Sequence, residues 1–180
     1  MREVRCRDEK DVYFHYPSRL NLLNPRWGCD QLTLPLYGIR VVAVEQYGAG
    51  PFGTQFLADQ GAEIVKIEPP RYGEESRQLA NYRNGMAGLY ANCNHGKRSI
   101  GINLKSERGL ELALEMIREA DVFVQNWRPG AAERLGLGET ALREVNPRII
   151  YASITGYGDD GPYAGRRGYD PIFQCLTGYV

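Results

Sequence analysis

Between residues 39 and 68 a strand-like run, a glycine turn, a helix-length segment and a second strand-like run follow in direct succession. That succession restricts the chain to the α/β class. Residues 39–44 (Ile-Arg-Val-Val-Ala-Val) are mostly β-branched and apolar, as a strand covered on both faces requires. Gly48, Gly50 and Gly53 make the turn. Pro51 suits the first position of a helix, the pattern continues that helix over 54–60, and Gly61 stops it. Residues 63–68 form the second strand, ended by Pro69 and Pro70. Two strands joined through a helix lie parallel, because only a long crossover returns the chain to the same edge.

The alternation continues downstream. Residues 71–90 read as a long polar loop with a short helix, and 99–104 as a strand. Ser106 is placed to cap a helix whose apolar face holds Leu110, Leu112, Ala113, Leu114, Met116 and Ile117. A strand at 121–125, helices at 129–135 and 140–145, and a strand at 148–154 follow, then a glycine-rich loop over 156–168 and a helix from Pro171. The expected architecture is an α/β fold with a Rossmann-like parallel sheet and helices on both faces. Residues 1–35 show neither period. Tyr13, Phe14, Tyr16 and Trp27 are interrupted by Pro17, Pro25 and Gly28, so the segment is predicted as an irregular extension ahead of a folded unit at 36–180.

Charge and cysteine usage narrow the function. Twenty-two Lys and Arg balance 22 Asp and Glu, which disfavours a nucleic-acid partner, since that surface needs clustered cations. No apolar run approaches the roughly 20 residues that cross a bilayer. The first ten residues are too charged for a signal peptide, so a cytoplasmic chain with no membrane partner is expected. Cys6, Cys29, Cys93 and Cys175 include no C-x-x-C pair and are expected to be free thiols, with no metal site.

The glycine turn leaves alternatives open. Gly48-x-Gly50-x-x-Gly53 opens a helix, and Glu68 closes the next strand twenty residues after Gly48. This spacing fits a nicotinamide-dependent oxidoreductase, with pyrophosphate on the helix N-terminus and the acid on a ribose hydroxyl. It fits any other nucleotide-bearing ligand equally, and it fits a tight turn that touches no ligand.

Later motifs favour one family. Leu36-x-Gly38-Ile-Arg-Val, Gly50-Pro51 and Leu57-Ala-Asp-x-Gly61-Ala-Glu-Ile-Val-Lys-Ile-Glu68-Pro form the first block. Asn92-Cys-Asn-His-Gly-Lys97-Arg98-Ser99-Ile100 with Asn103-Leu-Lys105 forms the second, and Ala120-Asp-Val-Phe-Val-Gln-Asn126-Trp-Arg-Pro-Gly130 with Arg134-Leu-Gly the third. Asn146-Pro-Arg-Ile-Ile-Tyr-Ala-Ser153, Gly156-Tyr-Gly158 and Gly168-Tyr-Asp170 complete a series that resembles the family III CoA-transferases, the group of formyl-CoA transferase and the carnitine and bile-acid CoA-transferases. Residues 1–34 carry no part of the resemblance.

The resemblance implies a CoA-transferase that moves coenzyme A between an acyl-CoA and a small carboxylic acid. It implies an interlocked homodimer of two-domain chains, with coenzyme A at the carboxyl edge of the sheet. It places Tyr47, Gly48, Ala49, Ile102, Lys105, Asn126, Trp127 and Arg134 beside the coenzyme. Lys105 and Arg134 are suited to phosphates, Trp127 to an adenine or pantetheine face, and Asn126 to a ligand amide or hydroxyl. Pro69 stands where the formyl-CoA type has a coenzyme-contacting arginine, and a proline makes no such contact. Thr155 and Tyr157 are implied to face the substrate.

The implied reaction runs through an aspartyl covalent intermediate. Its aspartate is expected after Val180, leaving Asp170 as an acid at a helix start. The chain is thus expected to be an N-terminal fragment, inactive alone, lacking the family's small domain. Acyl-CoA racemases of the same fold are an alternative, but they use a histidine where Tyr169 stands here, and His15 and His95 lie elsewhere.

Overall fold

The computed structural model of the chain describes residues 2–5, 12–16, 34–79, 82–83 and 85–180. Five strands form the parallel core: β3 (Arg40–Val44), β4 (Glu63–Glu68), β7 (Arg98–Ile102), β8 (Val122–Gln125) and β9 (Ile150–Ser153). Their order across the sheet is β7-β4-β3-β8-β9, each neighbouring pair parallel. The chain starts in the middle, builds outward through β4 and β7, then returns to build through β8 and β9. That is the order of doubly wound sheets, and it creates a switch point between β3 and β8.

The N-terminal residues correct one expectation. β1 (Arg2–Arg5) and β2 (Val12–Tyr16) are strands, and β2 pairs antiparallel with β7, so this part of the extension is not irregular. Residues 12–16 (Val-Tyr-Phe-His-Tyr) are rich in β formers, and β7 would otherwise offer an edge with unpaired N–H and C=O groups. Trp27, Pro17, Pro25, Gly28, Cys6 and Cys29 lie outside the described residues.

Helices cover both faces. On one, α3 (Glu107–Arg118) and α5 (Glu139–Val145) bring Ala113, Ile117 and Leu142 onto Val42, Val44, Ile67, Ile102 and Phe123. Phe123 is fully buried and stacks on Tyr151 at 5.6 Å between centroids. On the other, α1 (Ala49–Asp59) brings Leu57 and Ala58 onto Val41, Ala43, Ile64 and Val124, with α2 (Gly88–Asn94) beside it. Short α4 (Ala131–Arg134) follows β8, and α6 (Asp170–Thr177) follows the glycine-rich loop. No helix among the described residues is long and apolar enough to cross a membrane.

Boundaries follow local chemistry with two adjustments. α1 begins at Gly48 as N-cap, earlier than expected, so Pro51 sits third in the helix and Gly50 and Gly53 lie inside it. Gly61 follows the helix at φ +99°, a left-handed conformation that glycine adopts without a Cβ penalty. The expected loop at 71–90 holds a 3₁₀ turn (Glu75–Gln78), the hairpin β5 (Tyr82–Arg83) and β6 (Met86–Ala87), and the start of α2. Gly156 and Gly168 close the base of the glycine-rich loop: a Cβ on Gly156 would stand 2.8 Å from the Gly168 Cα.

Ser106 caps α3 as expected, its Oγ accepting the Gly109 N–H at 3.1 Å. The chain folds so closely there that a Cβ on Gly109 would lie 2.0 Å from the Asn103 carbonyl oxygen. Backbone cannot yield as a flexible side chain can. Gly109→Ala is expected to destabilise the protein by about 2–4 kcal/mol, read from the denaturant midpoint, whereas a free helix position would gain from the alanine.

Candidate functional site

The three residues after β3, at the switch point, are each held by a different partner. The Glu45 side chain accepts from Thr54 Oγ1 at 2.6 Å and from Lys97 Nζ at 2.8 Å, and its Oε2 is buried with no partner among the described residues. Gln46 is clasped through its backbone by Asn126 after β8, which accepts the Gln46 N–H at 2.9 Å and donates to the Gln46 carbonyl at 2.8 Å. Tyr47, at φ +64°, donates its N–H to Glu74 Oε2 at 2.7 Å and its hydroxyl to Glu75 Oε2 at 2.6 Å. Gly50 closes this arrangement, because a Cβ there would meet Glu45 Cβ at 2.9 Å and Asn126 Cγ at 3.1 Å.

Beneath the turn the α1 face of the sheet changes character along its strands. β3 and the residue after it run Val41, Ala43, Glu45, and β4 runs Ile64, Lys66, Glu68 on this face, apolar at the amino ends and ionic at the carboxyl ends. Lys66, with no exposed surface, donates to Glu74 Oε1 at 2.9 Å and to Asn94 at 2.7 Å. Glu68 receives a two-point contact from Arg77 (2.6 and 2.7 Å), the Ser99 hydroxyl, the Tyr90 hydroxyl and the Glu74 N–H. Arg77 also donates to the Tyr90 hydroxyl and lies 3.8 Å from that ring's centroid. Lys97 completes the cluster, also donating to the Pro51 carbonyl of α1 at 2.7 Å.

Three acids and three cations balance here. Each is affordable inside only because it is paired and hydrogen-bonded. Burial pushes the Glu68 carboxyl upward, yet the Arg77 hydrogen bonds and charge outweigh it and hold the group at about 2. Burial pushes the Lys97 ammonium down, with Glu45 opposing. The Tyr47 phenol is raised by its bond to the Glu75 carboxylate.

The residues expected beside a ligand lie on the loops and strand ends of one sheet edge, in differing roles. Gly48 and Ala49 form the first turn of α1, where the leading N–H groups lack intrahelical acceptors. Lys105 is exposed in the turn after β7, which lies two strands, roughly 10 Å, from β3. Arg134 is exposed at the end of α4, with Nη1 3.1 Å from where a Gly130 Cβ would stand. Thr155 and Tyr157 follow β9, the Tyr157 ring packing against Phe173 (5.1 Å) and Tyr163 (5.7 Å).

Several of these side chains are engaged within the fold. The Asn126 amide accepts from and donates to the Gln46 backbone, clasping the turn. Ile102 is a core side chain at 2% exposure, and Trp127 is half-buried against the same core. Glu68 offers no carboxylate to a ribose, which removes the acid that the nicotinamide reading required. Asp170 begins α6 and accepts from Gln174, as an acid at a helix start. The ionic cluster itself was not anticipated, although Lys66 and Glu68 at alternate positions of a buried strand are its signal in the sequence.

Comparison with known proteins points the same way. Residues 36–180 match the model of CoA-transferase family III. An acyl-CoA transferase of Fusarium pseudograminearum is 46% identical over 81% of this chain and 34% of its own. An acetyl-CoA:oxalate CoA-transferase of Acetobacter aceti is 42% identical over 81% of this chain and 38% of its own. The crystal structure of a CAIB/BAIF family protein from Brucella suis superposes with a TM-score of 0.76 at 40% identity, covering 80% of this chain and 39% of that one. The chain therefore spans little more than a third of the length of the curated relatives it matches.

Proposed function

Because the chain belongs to CoA-transferase family III, we propose that it forms the coenzyme-binding part of an enzyme that moves coenzyme A between an acyl-CoA and a small carboxylic acid. The observation that carries this reading is the switch point: a glycine-lined helix N-terminus at the carboxyl edge, with the exposed cations Lys105 and Arg134 in the segments that follow β7 and β8. The leading amides of α1 are suited to a pyrophosphate, since N–H groups and helix dipole both favour negative charge. Lys105 and Arg134 add charge-assisted bonds to phosphate oxygens. Pro69 offers no cation at its position.

In the proposed reaction an aspartate oxygen bonds to the acyl carbon, the carbon–sulfur bond breaks, and coenzyme A leaves as thiolate. The thiolate then attacks the aspartyl carbonyl of the resulting mixed anhydride, which releases the donor carboxylate and leaves an aspartyl thioester of coenzyme A. The incoming acid attacks that thioester and expels the thiolate, whose attack on the acid's own carbonyl in the second anhydride frees the aspartate and the new acyl-CoA. In this reading the attacking carboxylate is an aspartate other than Asp170, which begins α6 and accepts from Gln174. Thr155 and Tyr157 face the acyl group from the loop after β9, where a hydroxyl can hold a carboxylate.

Calorimetric titration tests the coenzyme site. The chain is expected to bind coenzyme A and not NADH. Lys105→Ala and Arg134→Ala should each weaken coenzyme A binding about tenfold or more, the loss of one charged hydrogen bond. Binding of NADH without coenzyme A would sink the proposal.

A further inference from the structure

Glu74 joins the buried charges to the turn that opens α1. Its Oε1 accepts from Lys66 Nζ at 2.9 Å, Ser76 Oγ at 2.7 Å and Asn94 Nδ2 at 3.2 Å, while its Oε2 accepts the Tyr47 N–H at 2.7 Å. Its own N–H donates to Glu68 at 2.8 Å, so backbone and side chain are both fixed. The residue is 2% exposed and touches solvent only marginally.

Tyr47 needs this support. A non-glycine residue in the left-handed region is strained by roughly 1–2 kcal/mol and persists only where its surroundings over-determine it. Tyr47 is at φ +64°, immediately before the N-cap of α1. Its dihedral therefore sets where the Gly48, Ala49 and Gly50 amides point. A charge-assisted N–H to carboxylate bond is among the stronger ways to hold such a dihedral.

We propose that Glu74 is the positioning residue of the coenzyme turn: its carboxylate, anchored on buried Lys66, keeps Tyr47 left-handed so that the α1 amides face the pyrophosphate. This rests on the coenzyme A reading above and adds to it a residue that touches no ligand. Toward the coenzyme turn, Glu74 acts through the Tyr47 N–H. The hydroxyl of Tyr47 is tied separately to Glu75, which keeps the ring on the 3₁₀ turn.

Three variants of the full chain separate positioning from stability, with coenzyme A as the probe in calorimetry and folding checked by circular dichroism. In E74Q one carbonyl oxygen remains, the Lys66 ammonium takes it, and the amide NH₂ turns toward the Tyr47 N–H. Affinity should fall about tenfold or more. In K66M/E74Q the cation is gone, the glutamine oxygen is free for Tyr47, and its NH₂ can donate to Asn94. Affinity should return to within about threefold of wild type. In K66M/E74L the buried pair is replaced by apolar groups, the fold persists, and Tyr47 has no acceptor, so binding stays weak. The Tyr47 amide resonance should follow the same order, moving upfield in E74Q and K66M/E74L and returning in K66M/E74Q.

K66M/E74L binding coenzyme A as wild type does, or K66M/E74Q binding as poorly as E74Q, would overturn the assignment and leave the coenzyme reading intact. A wild-type chain that binds no coenzyme A sinks both.

Discussion

Arg77→Ala is expected to lower the unfolding free energy by about 3–5 kcal/mol at neutral pH, because it strands the fully buried Glu68 carboxylate. The pH dependence should change sign as well. In the wild type the Glu68 carboxyl titrates at about 2 when folded, against an ordinary 4.5. The unfolded chain therefore binds the proton first as pH falls. The stabilisation, on the order of 3 kcal/mol, is complete above the unfolded value and lost between there and about pH 2. Without Arg77, burial dominates and raises the folded value above the unfolded one. The variant is then favoured by protonation and loses that contribution as pH rises. Urea denaturation at pH 7, 5 and 3 should show the gap between wild type and Arg77→Ala narrowing toward acid. A gap of constant size would mean that Glu68 and Arg77 do not act as a pair.

Lys66→Met should cost about 3–5 kcal/mol, since it leaves the Glu74 carboxylate buried without its cation. Removing both charges, as in K66M/E74L, should recover most of that loss, because an apolar pair of similar volume avoids the desolvation of two ions. The measurement is the denaturant midpoint, which should fall for the single variant and return for the double at unchanged slope. A double variant as unstable as the single would show that Ser76, Asn94 and the Tyr47 amide depend on the carboxylate for folding itself. The fold would then need this pair for more than its mutual attraction.

The parallel scaffold was legible in the residues because its signals are local. The run 63–68 and its Pro69 stop, Gly61 after α1 and Ser106 before α3 all act within a few residues, and each is found where the pattern puts it. Pro51 was misplaced by two positions because Gly48, with no side-chain cap, already serves as N-cap. The N-terminal hairpin was missed since it exists by pairing with β7, which no local period announces. The site was read less well for the same reason. Asn126 meets Gln46 across 80 residues and Lys97 meets Glu45 across 52, so composition shows the charged groups but not which of them are already spoken for. Lys105 and Arg134, by contrast, are exposed, because nothing distant claims them within the described residues.

The neck formed by Gly156 and Gly168 makes the intervening segment a detachable cassette. Its two ends meet through bare backbone, so β9 and α6 are joined by a fixed gate whatever the segment between them contains. Chain entropy grows only with the logarithm of contour, so adding a few residues at the tip costs about tenths of a kcal/mol. A methyl group at either gatepost would collide with the opposite Cα. Diversity among descendants of this chain should accumulate at residues 159–165, while the two gateposts resist it.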